Sequence, residues 1–429
     1  MKVAFTNPVA IKPSNRSLIM AVETPDFAKG IKFLGHTTQG ERADGMQLMV
    51  HKGYAYVSHM FSNGFTVIDV RDPRKPIPGK YYPAAPGTWN IHMQVGDDML
   101  LVISAANLFA ALPNEADYYG QSFGEIFMKK PKDYEAGMRV YDLKDPANPR
   151  EIGFMDVDGV GLHRIWYTGG RWAYASALLT GFTDYMFITI DMEDPTKPKI
   201  AGKWWIPGQN TAAGEKPSWD PLKWRYGHHH SVIAGDTAYG AWRDGSLVIL
   251  DVKDRTKPEL IVHKQWAPPF EGGTHSPLPL PSRNLLLVGD EGTMDDCIDG
   301  IKRIWVFDIR DPKNPISIST FPIPSEVDYP NKGGHFGLHN FHENRPGSFV
   351  SDEIFFVTYQ NAGVRVFDLK NEFDPQENAY WVPPKPERMW DNRPNRPQVI
   401  QSADCFVDAN GVIYMTDYNA GLYILQYEG

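Results

Sequence analysis

The chain has 429 residues, 42% hydrophobic and 22% charged, with a formal net charge of −9 and a pI near 5.8. It offers no basic field for a phosphate backbone or an anionic bilayer, so neither nucleic acid nor a membrane is an expected partner. Cys297 and Cys405 are the only cysteines. That excludes a disulfide framework and argues against a zinc site built on thiolates, so nitrogen and oxygen are the expected donors for any metal.

In chain order, residues Met1 to Asp26 lack the charged start, apolar core and small-residue cleavage site of a secretory signal. Nowhere is there an apolar run of about 18 residues, so a cytoplasmic protein is expected. The first strand is "IKFLGHT", residues 31 to 37. One pattern then recurs: an apolar strand ending in Asp, a turn, then Pro. The copies are "FTVIDVRDPRKP" from Phe65, "MRVYDLKDPANP" from Met138, "FITIDMEDPTKP" from Phe187, "LVILDVKDRTKP" from Leu247, "IWVFDIRDPKNP" from Ile304 and "VRVFDLKNEFDP" from Val364. A truncated copy, "LYILQYEG", closes the chain.

Upstream of most copies, two β-rich runs are joined by a short Gly, Asp or Asn turn, as in "SVIAGDTAYGAW", and a further short strand follows the Pro, as in "REIGFMDV". Units of roughly four antiparallel strands, spaced by roughly 50 to 70 residues, read as blades of a β-propeller. The last unit lacks its outer strand, which residues 31 to 37 supply if they pair beside Leu422 to Tyr427. The expected fold is all-β: one seven-bladed propeller domain over residues 1–429, of four-stranded antiparallel blades, its ring closed by that N-terminal strand. The DP-x-x-P segments are expected to be structural turns on the face opposite the histidines described next.

These repeats resemble the LVIVD repeat family of bacterial propellers, over nearly the whole chain. Members of that family are mostly without assigned activity, so the resemblance implies a fold and carries over no catalytic residues.

Aligning the units on their hairpins places a histidine where the chain enters the innermost strand: His92 in "NIHMQV", His163 in "GLHRIWY", His229 or His230 in "GHHHSV", His275 in "GTHSPLP" and His339 in "GLHNFH". Gln47 and Asp404 fill that place in the two remaining units. With 13 histidines in 429 residues, such agreement is far above chance. Neutral imidazoles converging on a channel axis form a ready shell for Zn, Mn, Fe or Cu. A hydrated polar channel without metal is the alternative reading. On a strand, alternate residues face opposite ways, so His228 and His230 are expected to point away from His229. The triplet then gives the axis one or two ligands, with the remaining members packed between blades. His36, His51 and His263 are expected to be ordinary strand or surface residues, and His335 and His342 to flank His339.

The loops that open on the histidine face carry Trp242, Arg243 and Asp244, then Asp290 and Glu291, then Tyr359 and Gln360, then Asp417 and Tyr418. In the second unit that loop swells into an aromatic-rich insertion at about 105–137, expected to be a lid. Arg164 and Arg243 are candidates to hold a substrate carboxylate, and Glu291 or Glu343 to act as general base beside a metal. The expected function is a metal-dependent enzyme acting on a small-molecule substrate in the channel by hydrolysis or elimination. An Fe or Cu oxygenase or oxidase at the same place, or a non-catalytic protein-binding scaffold, are the alternatives.

Overall fold

Each repeat becomes an antiparallel sheet in the computed structural model, which describes residues 22–112, 124, 126 and 132–429. One sheet runs Gly45–His51, Tyr54–His59, Phe65–Asp69, Ile77–Tyr82. A second runs His230–Ala234, Thr237–Ala241, Leu247–Asp251, Glu259–Lys264. A third runs Thr274–Leu280, Leu285–Asp290, Ile304–Asp308, Ile316–Thr320. Asn340–Phe341, Ile354–Thr358, Val364–Asp368 and Gln376–Val382 form another, with Phe27–Lys29 added at its outer edge.

A nine-stranded sheet consists of two four-stranded runs and the short strand Thr88–Trp89. The first run is Met93–Gly96, Met99–Ala106, Gly137–Asp142, Arg150–Asp156, and the second Gly159–Trp166, Trp172–Leu179, Met186–Asp191, Lys199–Trp204. They meet through one pairing, Gly161 opposite Ala105. At the C-terminus, Ser402–Val407, Val412–Asp417 and Gly421–Tyr427 take Ile31–Thr37 as their outer strand, with Ile31 opposite Tyr427 and Thr37 opposite Leu422.

The near-continuous apolar runs of the repeats follow from burial of both sheet faces. Ala55, Val57 and Ile68 face the last sheet, packing with Tyr414, Leu422 and Ile424. Their neighbours Tyr56, Phe65 and Val67 face the next sheet, packing with Met93, Leu100 and Val102. Burial falls from inner to outer strands: Leu247–Asp251 is buried save for its last residue, whereas Ile77–Tyr82 is exposed over its first four.

The Asp positions that recur within the repeats are turn-makers. The strand-final Asp69, Asp142, Asp191, Asp251, Asp308 and Asp368 each accept the backbone N–H two residues on. Three residues later, Asp72, Asp145, Asp194, Asp254 and Asp311 do the same, and Asn371 replaces Asp in the last copy. These side chains satisfy donors that a turn leaves without a ladder partner. Among the described residues, no helix is long and apolar enough to cross a membrane. Cys297 and Cys405 are both free thiols.

Candidate functional site

Irregularities at the start of the inner strands aim the functional side chains. Pairing registers shift between Gly45 and Leu48, Leu162 and Ile165, Thr274 and Ser276, and Ser402 and Asp404. A bulge of this kind bends the strand and re-aims the residues inside it, here Met46–Gln47, His163–Arg164, His275 and Ala403. The second strands supply hydroxyls to the disturbed backbone: Ser176 Oγ accepts from Arg164 N, Thr358 Oγ1 from Asn340 N and Thr416 Oγ1 from Asp404 N.

The bulges sort the aligned residues into two layers. His163, His229, His275 and His339 line a cavity of about 730 Å³, counting its open mouth. His92 and His230 lie outside that lining, at the level of Arg164. The hairpin alignment that made His92 equivalent to His163 and His339 is therefore one residue out of step. The rings form a continuous arc, with centroid separations of 4.8 Å for His92–His163, 4.8 Å for His163–His229, 3.8 Å for His229–His275 and 4.8 Å for His275–His339.

Their ligand atoms fall into two trios, His92–His163–His229 and His275–Glu291–His339, within each of which all atoms lie within 4.8 Å of one another. Burial first, then neighbouring arginines and histidines, holds His92, His163, His229 and His275 well below the usual histidine range, and burial lowers His339 too. All five are neutral donors at physiological pH.

Backbone contacts set the tautomers. His229 Nδ1–H donates to the His275 carbonyl at 2.9 Å, and His339 Nδ1–H donates to the Ala403 carbonyl. Ser276 Oγ meets His275 Nδ1 at 2.7 Å and lies 3.3 Å from the His339 carbonyl and 3.4 Å from Asn340 Oδ1; with its own proton on those two acceptors it accepts from His275 Nδ1–H. On each of these rings the lone pair is left on Nε2. Such outer contacts fix ring orientation in metal sites.

Glu291 stands opposite two of these lone pairs, its oxygens 3.4 Å from His275 Nε2 and 3.5 Å from His339 Nε2. Burial alone would push its pKa up, but Arg243, hydrogen-bonded to Oε2, outweighs it and holds the carboxyl below its usual range, so that it stays ionised. Tyr418 completes this wall, its hydroxyl 3.3 Å from His339 Nε2. Met46, Met60, Trp89, Ile91, Leu108, Phe109 and Leu112 form the apolar side of the cavity, with Thr293, His335 and Arg393 on the polar side. Leu108 and Phe109 belong to a short helix, Leu108–Ala111, capped by the Asn107 side chain. This is the start of the expected lid; most of the remainder of that insertion lies outside the described residues.

Beneath the cavity floor Glu343 gathers a buried polar layer. It meets His230 Nε2 at 3.0 Å, Arg164 at 3.2 Å, Gln94 Nε2 at 3.0 Å and Arg345 at 3.4 Å. His230 and these cations keep its carboxyl far below the ordinary range despite burial. Arg164 is only 2% exposed and also reaches His92 Nδ1 at 3.3 Å, so the structure directs it to Glu343 rather than to a ligand in the cavity. Arg243 does line the cavity but is engaged with Glu291.

The triplet points three ways. His228 packs between Phe187 and Trp242 and bonds Ser231 Oγ, His229 lines the cavity, and His230 meets Glu343. Simple alternation does not apply because the regular strand begins only at His230. His36, His51 and His263 bond Ala420, Asp98 and Gly245 away from the cavity; His342 bonds Phe349 and Val407, whereas His335 reaches the cavity wall. Gln47 and Asp404 accept backbone N–H groups of Met93 and Leu48, tying adjacent sheets. Sequence reasoning did not find Gln94 and Arg345, because nothing in "NIHMQV" or "HENRPG" marks them as partners across about 250 residues.

The sheet arrangement and its axial polar layers define the chain as a β-propeller. The LVIVD repeat model matches residues 44–80 and 230–263, so two stretches of the chain are similar to LVIVD repeats. Similar solved structures are the propeller domain of Cps50 (Swd1) from Myceliophteria thermophila, 11% identical with a TM-score of 0.52, covering 90% of this chain and 97% of that one. Saccharomyces cerevisiae Sqt1 is 9% identical with a TM-score of 0.51, covering 94% and 99%. At such identities the likeness is one of fold alone. No curated protein matches the chain in sequence.

Proposed function

We propose that the protein is a metal-dependent enzyme whose divalent transition ion, of the Zn, Mn, Fe or Cu class, is held by His275, Glu291 and His339. It acts on a small organic substrate by hydrolysis or elimination. The observation that carries this reading is the convergence of two imidazole Nε2 atoms on the Glu291 carboxylate at 3.4 and 3.5 Å. Lone pairs facing a carboxylate with no proton between them repel, and a cation among them turns the repulsion into coordination. Two histidines and a carboxylate leave open positions for water and substrate. A metal there would polarise a carbonyl or lower the pKa of bound water.

The cavity suits a substrate with an apolar body and a polar end, Trp89 and Phe109 lying on one side and Arg243 and Glu291 on the other. In this reading Glu291 is a ligand rather than the base. The channel follows from a closed seven-bladed ring. In support, the nine-stranded sheet divides into two blades at its single bridging pair. The inner strands also neighbour one another in sequence order, and Ser402–Val407 lies beside Gly45–His51.

The test is elemental analysis of untagged protein, then turnover assays on ester and lactone panels before and after chelation. Bound metal that is lost in His339→Ala, with chelator-sensitive turnover, is expected. Absence of bound metal together with failure to take up any of the four ions would overturn the reading.

A further inference from the structure

We infer that the histidine arc holds a second divalent metal, on His92, His163 and His229, so that the cavity floor is a two-metal centre. This rests on the reading of His275, Glu291 and His339 as the first site. The ligand atoms divide into two trios rather than closing on one point. Within the second trio, His163 Nε2 and His229 Nε2 are 3.0 Å apart, hydrogen-bonded ring to ring and a few tenths of an ångström short of the separation of about 3.3 Å between neighbouring nitrogens on a tetrahedral ion at bonds of about 2.0–2.1 Å, so an ion can replace the shared proton. The His229 tautomer leaves its Nε2 lone pair facing that point, since its Nδ1–H is spent on the His275 carbonyl.

An independent observation comes from His92. It is 0% exposed, and its Nε2 is buried without a hydrogen-bond partner. A buried polar atom left unmatched costs about 1–3 kcal/mol, and in native proteins it calls for an explanation. A metal shared with His163 and His229 supplies one. Ligation through Nε2 moves the His92 proton to Nδ1 and gives up the long 3.3 Å contact from Arg164, which keeps its bond to Glu343. The two trios adjoin where the His229 and His275 rings stand 3.8 Å apart. Paired metals at such sites clamp the attacking and leaving oxygens of a displacement.

The experiment is zinc titration of chelator-treated, untagged full-length protein, read by elemental analysis after gel filtration. His163→Gln, His339→Gln and the double variant are titrated alongside, with circular dichroism and thermal midpoints as the folding control. Two equivalents in the parent, one in each single variant and none in the double variant are expected. One equivalent lost only in His339→Gln overturns the second site and leaves the first. One equivalent lost only in His163→Gln overturns the first-site reading, and loss in both single variants means one shared ion and overturns the pair. Repeating the titration with Cu(II) gives a second readout: two nearby ions broaden or quench the isolated-ion resonance, and an unbroadened two-equivalent spectrum would also sink the inference.

Discussion

His230 and Glu343 are joined Nε2 to Oε1 at 3.0 Å, one residue along from a histidine that faces the cavity. Three adjacent histidines thus do three different jobs, and their alanine variants should separate. His229→Ala is expected to lose one equivalent of metal and about 1–3 kcal/mol, since it leaves the buried His275 carbonyl without its donor. His228→Ala should keep its metal and lose about 2–4 kcal/mol, since the ring is buried between Phe187 and Trp242. His230→Ala should keep its metal and weaken the Glu343 layer. Urea unfolding with elemental analysis distinguishes the three; equal metal loss in all of them would contradict the assignment.

Glu343 balances Arg164 and Arg345 in a layer where every member is nearly inaccessible. Removing one partner of a buried ion network strands the remaining charges, at about 3–5 kcal/mol. Glu343→Gln is therefore expected to lower stability strongly in urea while the Asp254→Ala turn variant, which removes an exposed acceptor for Thr256 N and Oγ1, lowers it by about 1 kcal/mol or less. A Glu343→Gln protein as stable as the parent would show that the layer is not held by charge.

The repeats were legible in the sequence because both strand burial and the Asp turns are local. "FTVID" reads as a doubly buried strand, and the Asp69 and Asp72 contacts are each made two residues away. The pairing of Ile31–Thr37 with Gly421–Tyr427 was legible from what the last unit lacked. The layers of the site were not legible, because a bulge adds one residue that a hairpin alignment cannot see. His163 and Arg164 exchange places relative to a regular strand, and His92 drops a layer below His163. From the sequence Glu343 is a candidate base beside a metal; only the fold brings Gln94 and Arg345 to it.

Two buried groups give stability opposite pH slopes. His342 uses both ring nitrogens in the neutral form, and burial pushes it down to about 4. Its folded value lies below the unfolded 6.5, so its contribution is full above about pH 6.5 and is lost as pH falls toward 4. Asp404 is pushed up to about 8 by burial, with Arg164 opposing. Its folded value lies above the unfolded one, so its contribution is present below about pH 4 and is lost as pH rises through 8. Asp404→Asn should accordingly gain on the parent progressively as pH rises, by up to about 1.4 kcal/mol per pH unit between pH 5 and pH 8. Urea titrations at both values check this, and an equal gain at both would remove proton linkage as the cause.

Ser276 offers the most selective test of how the first metal site is oriented. Its hydroxyl accepts from His275 Nδ1 at 2.7 Å and is itself tied to the strand that carries His339. It touches no proposed ligand atom on the cavity side. Removing the hydroxyl frees the His275 ring to rotate and to place its proton on Nε2, where it blocks coordination. Partners of this kind typically contribute 10–100-fold to metal affinity. Ser276→Ala is thus expected to weaken zinc at the His275–Glu291–His339 site by about 10–100-fold, measured by competition with a chromophoric chelator, while the equivalent bound by His92, His163 and His229 keeps its affinity. Unfolding should change by only about 1 kcal/mol, the net value of one hydrogen bond. Unchanged zinc affinity in a folded Ser276→Ala protein would mean that His275 is oriented by packing against His229 alone, or is not a ligand.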